Sequence, residues 1–410
     1  MMRDSYLDIS KLTTNEDILE LFNVVANSGG VLRFVGGAVR DALKGIKSSD
    51  LNLVTDLSPD ELVEACSDAG YNTVPLGIKQ GKIAVIIDDS QIEVSSLGKY
   101  VEKDGVSNLE FTDNWEADAS ARDLTINAVY ADEKGNVFDY YNGIEDLEKG
   151  YVRFIGSANQ RIQEDYSRIL RYFRFYSLFG TEDPNLKAIT ACAENCAGLK
   201  KLPMERIKDE LFKILQTPRA HTTYNLMQKN GILSYVMPDA KYIDDLEYLN
   251  NLNQTFSNNN EALIKMFVIY RPQPDLAENM STRLKFSRYE KDLFADLANT
   301  NYTVSDFLNA KTFAKIIYEY GKDFAKAKII SLLAEYRCFS EEVMSVYNKI
   351  ENIKEIEFPL KGKDIIDYGF NDFQQVGPIL KELEQLWIDS NFDLTKEQLL
   401  LEIDNMKSVI

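Results

Sequence analysis

A short apolar strand that runs through a Gly-Gly pair into a helix is the feature that most constrains how this chain folds. Residues 31–35 are mostly apolar and β-favouring, and a helical stretch follows Gly36 and Gly37. Such a junction points backbone N–H groups outward at a helix start, where they attract phosphate. Arg40 adds a fixed positive charge that suits phosphate oxygens, although the neighbouring Asp41 could pair with it. Taken alone, a Gly-Gly pair between a strand and a helix is more often only a tight turn.

The next predicted strand carries part of a metal site. Asp50 and Asn52 lie two residues apart, so on a strand their side chains project to the same face. Two carboxylates in this arrangement can hold Mg²⁺ ions for in-line attack on a phosphoryl group, but the second position here is an amide, which bridges hard dications poorly. Glu93 on a neighbouring predicted strand is a candidate third metal ligand, and an ordinary exposed glutamate is an equally good interpretation. Asp50 alone would be more typical of a strand end or a turn.

These residues carry a resemblance to a known family. The run GGAVRDALKG followed by DLNLVT resembles the head signature of the class II tRNA nucleotidyltransferases and the related bacterial poly(A) polymerases, members of the DNA polymerase β superfamily. Single motifs of this kind are weak, but an ordered series is specific. Five further blocks resemble the family in order: GKIAVIIDDSQIEVSSL, FTDNWEADASARDLTINAVY, VFDYYNGIEDLEKGYVRFIG, RIQEDYSRILRYFRF and KKLPMERIKDELFKIL.

Periodicity gives the organisation of the chain. Short β-rich runs alternate with helical stretches up to about residue 140, and KIAVIID and QIEVSSL form a hairpin across a DDS turn. No convincing strand pair follows residue 156. We therefore predict an α+β fold, with a small mixed sheet flanked by helices and then an all-helical neck, body and tail. The resemblance implies that the first part is a nucleotidyltransferase head. The predicted domains are a catalytic head (1–140), a base-recognising neck (141–217) and a tRNA-binding body and tail (218–410).

An arginine-rich segment predicts where a nucleobase is read. Asp165, Arg168, Arg171 and Arg174 recur every three residues and would form a polar strip along one helix. A carboxylate beside a guanidinium offers an acceptor and donors in one plane, which resembles the protein template that the family uses to select CTP or ATP. In isolation, the same spacing would predict a solvated helix face with ion pairs.

A second pair of charged residues directly precedes the run LTINAVY, which we predict to be an apolar helix. Arg122 and Asp123 resemble the family residues that line the sugar and phosphates of the nucleotide, and a salt bridge at a helix start is the simpler alternative. The acidic segment 101–118 resembles a flexible loop of the family. The chain departs from the family pattern around these elements, and these departures bear on activity more than on fold: Lys44, Asn52, Gly98, Val106 and Ala121.

Composition excludes several classes. His221 is the only histidine, so a histidine-dependent hydrolase cannot be built. Four cysteines without a CxxC pair fit a reducing cytosol, and we expect Cys192 and Cys196 to be buried apolar groups. No apolar run is long enough to span a bilayer, so we expect a cytoplasmic protein without a membrane partner. The net charge of −19 is unusual for a nucleic-acid binder, although a basic stripe can lie on an acidic body.

Three functions remain open from the sequence. The first is a template-independent enzyme that adds C and A to tRNA 3′ ends from CTP and ATP, with Mg²⁺ as its cofactor. The second has the same fold but adds only A. The third is a catalytically silent nucleotide- or RNA-binding descendant, or a chain with a deliberate Asp-to-Asn change that traps substrate, because Asn52 replaces the expected carboxylate.

Overall fold

A computed structural model describes most of the 410-residue chain, which divides into two compact units, Met1–Asp239 and Ala240–Ile410. The described residues are 6–46, 51–77, 81–88, 90–103, 106–181, 183–238, 240–252, 260–337, 340–354, 356–369 and 373–407. The predicted division into head, neck and body stays a prediction.

The first unit contains a mixed β-sheet. Its strands and those of a separate hairpin are β1 (Leu32–Val35), β2 (Asn52–Thr55), β3 (Asn72–Gly77), β4 (Lys82–Ile87), β5 (Ser90–Ser96), β6 (Gly98–Lys103), β7 (Val106–Phe111), β8 (Val129–Ala131) and β9 (Val137–Asp139). Seven of them pair in the order β3-β4-β5-β2-β1-β8-β9, with β2 and β5 parallel and the other neighbours antiparallel. The predicted mixed sheet and the β4–β5 hairpin are confirmed.

Helices of the first unit flank this sheet and continue beyond it. They are α1 (Glu16–Asn27), α2 (Gly37–Leu43), α3 (Pro59–Asp68), α4 (Trp115–Ala121), α5 (Gly143–Lys149), α6 (Ala158–Glu164), α7 (Ser167–Phe179), α8 (Leu186–Asn195), α9 (Met204–Leu215), α10 (Ala220–Lys229) and α11 (Leu233–Val236). Ser58 caps α3 and forms reciprocal hydrogen bonds with Glu61, and Pro59 occupies the first turn of the helix, where its missing N–H costs no hydrogen bond.

The two faces of the sheet are buried in different ways. On one face, Phe34 and Leu53 belong to a large apolar cluster that includes residues of α1, α2 and α3. On the other face, Val35, Val54 and Tyr130 form a smaller cluster. Because residues two apart on a strand share a face, Asn52 lies on the same side of β2 as Val54. The smaller cluster therefore supports the side of the sheet that carries the candidate metal ligands.

Two predicted elements differ in the structure. The run LTINAVY is not a helix: a 3-10 turn at Thr125–Asn127 leads directly into β8, which pairs with β1 and β9. The spacing of its apolar residues is compatible with a helix or a strand, and pairing with β1 and β9 selects the strand. The segment after β5, predicted to be a flexible loop, contains the β6–β7 ladder from Gly98↔Phe111 to Lys103↔Val106, followed by α4.

The second unit is helical throughout its described residues. Its helices are α12 (Asp245–Leu252), α13 (Glu261–Tyr270), α14 (Pro274–Arg283), α15 (Arg288–Asn299), α16 (Val304–Leu308), α17 (Ala310–Tyr336), α18 (Glu341–Lys349), α19 (Gly362–Asp367), α20 (Phe373–Asp389) and α21 (Lys396–Lys407). A kink divides α17 at Gly321, where φ is +82°. Among the described residues no strand follows residue 156, which confirms the helical second part, and none of the described helices is long and apolar enough to cross a membrane.

Candidate nucleotide-binding site

The Gly-Gly junction has the backbone that the sequence predicts. Gly36 lies between β1 and α2 with φ +70° and ψ −123°, a backbone conformation that residues other than glycine rarely adopt. Its N–H donates to the carbonyl of Val129, which holds the turn against β8. A Cβ at Gly36 would lie 3.7 Å from Nη1 of Arg122. The turn therefore brings the first residues of α2 beside the guanidinium of Arg122, the residue that follows α4.

Arg122 directly follows α4 and is fixed by a buried acceptor in that helix. Its Nε and Nη2 donate to Oδ2 of Asp118 at 3.2 and 3.1 Å, and Nε also lies 3.1 Å from the hydroxyl of Tyr130. The Tyr130 hydroxyl donates to the same Asp118 oxygen at 2.7 Å. Burial alone would lower the pKa of Arg122, but Tyr130 and Asp118 outweigh it and raise that pKa. The guanidinium is thus permanently charged and directed toward the Gly36 turn through Nη1.

A chain of hydrogen bonds joins α2 to α7. Nη1 of Arg40 donates to Oδ1 of Asn127 at 2.6 Å, and Nδ2 of Asn127 donates to Oδ1 of Asp123 at 3.1 Å. The other oxygen of Asp123 accepts from Nε of Arg171 at 2.8 Å. Burial would raise the pKa of Asp123, but the charge of Arg171 and the bond from Asn127 hold it below its usual value. Asp123 is therefore an ionised, buried link between the head and the arginine-bearing helix.

Arg40 is more enclosed than the sequence suggested. It is buried, its Nη2 lies 2.7 Å from Oδ1 of Asp41, and its guanidinium carbon lies 4.8 and 4.7 Å from the ring centres of Phe175 and Phe179. Pairing with Asp41, foreseen as an alternative, is confirmed. In this structure Arg40 connects α2 with α7.

The candidate metal ligands are placed only in part. Asp50 lies outside the described residues. Asn52 and Glu93 are direct partners across the parallel β2–β5 pair, so their side chains share a face, and each is partly exposed. Oε1 of Glu93 lies 2.5 Å from Nζ of Lys82 on β4. The described residues contain no group of three or more His, Cys, Asp or Glu side chains arranged around a metal position.

Asp165 does not continue the helical strip predicted from its spacing. It lies in the break between α6 and α7 with φ −152°, and its Oδ1 accepts the N–H of Ser167 at 2.9 Å. A short acidic side chain that bonds the backbone two residues ahead competes with helix formation, which explains the break. Its other oxygen accepts from Nη2 of Arg206 on α9 at 3.0 Å. Burial would raise the pKa of Asp165, but the bonds from Ser167 and Arg206 lower it.

The three arginines of α7 have separate partners. Arg168 donates to Glu164 at 2.7 Å and to the carbonyl of Ala121 at 3.4 Å, so it points toward the end of α4. The predicted planar pair of Asp165 with Arg168 is therefore not made in this structure. Arg174 donates to Glu210 on α9 at 2.7 Å, and its guanidinium carbon lies 4.2 Å from the ring centre of Phe175. Of the predicted strip, only Arg171 joins the network that reaches Asp123.

Sequence reasoning missed four residues of this region. Asp118 and Tyr130 hold Arg122, Arg206 is the partner of Asp165, and Lys82 is the partner of Glu93. Arg206 lies 41 residues from Asp165, and Lys82 lies 11 residues from Glu93, so no short-range sequence pattern predicts either ion pair. The only available signal was that Asp118 precedes Arg122 by four residues, which is the spacing of an ion pair on a helix.

Two family models match the chain. One, described as the Poly A polymerase head domain, matches residues 32–153. The other, described as a probable RNA and SrmB-binding site of polymerase A, matches residues 183–243. The first covers the sheet with Gly36, Arg122 and Glu93, and the second covers α8 to α11.

Curated and solved proteins extend the likeness over most of the chain. The CCA tRNA nucleotidyltransferase 1, mitochondrial, of Danio rerio is 32% identical over 378 residues, which are 90% of this chain and 86% of the relative. The crystal structure of the Bacillus stearothermophilus CCA-adding enzyme in complex with CTP has a TM-score of 0.78 at 22% identity, covering 96% of this chain and 98% of that one. A Thermotoga maritima CCA-adding enzyme complexed with tRNA gives 0.66 at 19% identity, covering 100% of both chains. The fold is shared throughout.

Proposed function

We propose that this chain, which belongs to the CCA tRNA nucleotidyltransferase family, adds C and A to tRNA 3′ ends from CTP and ATP without a nucleic-acid template. Family membership rests on the Danio rerio relative, which is 32% identical over 90% of this chain. The observation that carries the proposal within the structure is the Arg122 guanidinium, held by Asp118 and Tyr130 beside the Gly36 turn. A fixed cation next to the first turn of a helix suits the triphosphate of a nucleotide.

The residues of the site divide the work of binding. The triphosphate is held by Gly36, Gly37 and Arg122. Arg40 does not contact the phosphates but stabilises the turn through its hydrogen bond to Asn127. Because Arg122 is anchored before the nucleotide arrives, little side-chain entropy is lost on binding. This preorganisation supports recognition of the phosphates regardless of which base is attached.

Base selection is assigned to the break between α6 and α7. The ionised Asp165 carboxylate can accept hydrogen bonds from an exocyclic amino group, and cytosine and adenine both carry one. Arg168, Arg171 and Arg174 lie on α7, and each already donates to a carboxylate of the protein, so a bound base would also have to compete for these donors. In the structure Asp165 is held by Arg206, so we propose that a bound base competes with Arg206 for this carboxylate.

Enzymes with this fold generally use divalent metal ions, and we propose Mg²⁺ for this chain, held by Asp50, Asn52 and Glu93. The donor chemistry fits, because Asn52 and Glu93 are direct strand partners that offer oxygen atoms on one face. When bound, the metal would polarise the phosphate and activate the attacking 3′-hydroxyl. Asn52 contributes an oxygen without a charge, so the chain would retain the ion weakly and turn over slowly.

The tRNA would contact the helical part of the chain. Residues 183–243 match the RNA-binding model, and this match runs across the boundary between the proposed neck (141–217) and the proposed body and tail (218–410). The described cysteines Cys66, Cys192 and Cys196 are unpaired and buried, as expected for Cys192 and Cys196, and they are compatible with the cytoplasmic location that we propose.

A product assay tests the function directly. A tRNA that lacks its terminal CCA is incubated with the chain and Mg²⁺, with CTP alone, ATP alone or both, and the products are separated at single-nucleotide resolution. We expect two C residues with CTP and a complete CCA with both nucleotides. Addition of A alone would favour the A-adding relative. Nucleotide binding without any product would favour a silent descendant, the second candidate to which Asn52 points.

A further inference from the structure

The face of the sheet that carries the candidate metal ligands also carries a cation of its own. Lys82 on β4 lies 2.5 Å from Glu93 on β5. In the antiparallel ladder Glu93 is opposite Ala84, and Lys82 is opposite Ser95, so Lys82 is the diagonal neighbour of Glu93 on the same face. The small Ala84 leaves room for the long lysine side chain to reach across.

The register joins this ion pair to the unusual amide. Glu93 is the direct partner of Asn52 on β2, so one carboxylate faces both the amide and the ammonium. Asn52 carries no charge, while the charges of Glu93 and Lys82 cancel. A divalent ion requires local negative charge, and among these three side chains none remains while the pair is closed.

We propose that Lys82 competes with the divalent metal ion for Glu93. The ammonium holds this carboxylate in the metal-free protein, and a metal ion must displace it in order to bind. Displacement is feasible because the Lys82 side chain is 47% exposed and can turn into solvent, where its charge is well hydrated. The inference rests on the proposed function, because it takes Glu93 as a metal ligand. Lys82 would affect metal binding only through its ion pair with Glu93.

Metal binding measured without nucleotide or tRNA tests this competition. Mn²⁺ alone is titrated into the full chain, and the unbound ion is measured by electron paramagnetic resonance. We expect Lys82→Gln to bind Mn²⁺ about two- to fivefold more tightly than the unaltered chain, the range that release of an exposed ion pair allows. Lys82→Arg is the matched control, because it retains the positive charge and should bind Mn²⁺ no more tightly than the unaltered chain.

A double substitution isolates the route through Glu93. Glu93→Gln should weaken Mn²⁺ binding, and adding Lys82→Gln to it should bring no gain, because the carboxylate for which the two cations compete is gone. Equal Mn²⁺ affinity of Lys82→Gln and the unaltered chain would overturn the proposal. A gain that persists with Glu93→Gln, or no Mn²⁺ binding in any form, would overturn it as well. Failure of CCA addition would leave the Mn²⁺ result unchanged, so the two proposals fail separately.

Discussion

Arg122 depends on one carboxylate for its position. Oδ2 of Asp118 accepts hydrogen bonds from two nitrogens of Arg122 and from the Tyr130 hydroxyl. Its Oδ1 accepts a hydrogen bond from the N–H of Gly98 at 3.2 Å. The same side chain therefore fixes the Arg122 guanidinium and the first residue of β6. A neutral replacement would retain the shape but lose the charge that orients Arg122.

We accordingly expect Asp118→Asn to weaken CTP binding about tenfold, since a hydrogen bond to a charged partner contributes about 1.5–3 kcal/mol. Isothermal titration calorimetry with CTP measures the effect. Tyr130→Phe is the matched control: it removes one donor but leaves the carboxylate, and a smaller loss is expected. Undiminished CTP affinity in Asp118→Asn would mean that this carboxylate does not orient Arg122.

Asp165 is expected to determine which nucleotide is chosen. Replacing it with alanine removes the acceptor for the exocyclic amino group, so discrimination should fall by about 1–3 kcal/mol per lost bidentate contact. Arg168→Ala should also alter selection, and in addition it loosens α6 and α4, because Arg168 bonds Glu164 and Ala121. The ratio of CTP to ATP incorporation is measured for each variant, with Arg206→Ala as the control that removes only the resting partner. Equal slowing of both nucleotides with unchanged selectivity would refute base reading here.

At the scale of elements, the break between α6 and α7 is held by a close contact with the 3-10 helix Cys196–Lys201. A Cβ on Gly198 would lie 2.0 Å from the ring of Tyr166, the residue that follows Asp165. The ring therefore packs directly on the Gly198 backbone. Any side chain at this glycine must move Tyr166 and, with it, the Asp165 carboxylate.

The contact leads to an element-scale prediction. Gly198→Ala should destabilise the chain by about 1–3 kcal/mol through overpacking, and it should change nucleotide selectivity. Chemical denaturation measures the first effect and competition between CTP and ATP the second. Gly377→Ala in α20 is the control, because a Cβ there meets nothing within 4 Å. A fully stable Gly198→Ala variant with unaltered selectivity would show that the break does not depend on this packing.

Local chemistry explains which elements could be predicted. The Gly36 turn, the Ser58 cap and the β4–β5 hairpin are each set by residues a few positions apart, and all three are confirmed. The run from Leu124 to Tyr130 could not be assigned by its spacing, because pairing of β8 with β1 overrides helical periodicity. Asp165 was placed on a helix because its competing bond to the Ser167 backbone is invisible to periodicity.

At the scale of the whole molecule, the site depends on contacts that join distant segments. The pairs Asp123–Arg171, Asp165–Arg206 and Arg174–Glu210 span 48, 41 and 36 residues, and none follows from a motif. The resemblance identified the residues, but the partner of each charge is decided by how the head and the following helices fold together. Motifs could therefore point to single candidate residues, whereas the partner of each charge could not be predicted from them.

The buried Asp123 predicts how stability depends on pH. Its folded-state pKa lies below the ordinary 3.8, so its stabilising contribution is complete above that value and is lost as pH falls through the lowered pKa. The unaltered chain should therefore be more stable than Asp123→Asn at pH 7, and the difference should shrink toward pH 3. Denaturant unfolding across this range measures it, with Arg171→Gln expected to show the same narrowing. A difference independent of pH would contradict an ionised Asp123.

We propose that the charge missing at Asn52 is what limits nucleotidyl transfer by this chain. Single-turnover CCA addition to tRNA, measured in Mg²⁺ and in Mn²⁺ for the unaltered chain and for Asn52→Asp, tests it most directly. We expect very low turnover for the unaltered chain in Mg²⁺ and partial recovery in Mn²⁺, which tolerates neutral ligands better. Asn52→Asp should raise the rate in Mg²⁺ by orders of magnitude and leave folding stability nearly unchanged. Full activity of the unaltered chain in Mg²⁺ would contradict the account, because Asn52 would then not limit the metal site.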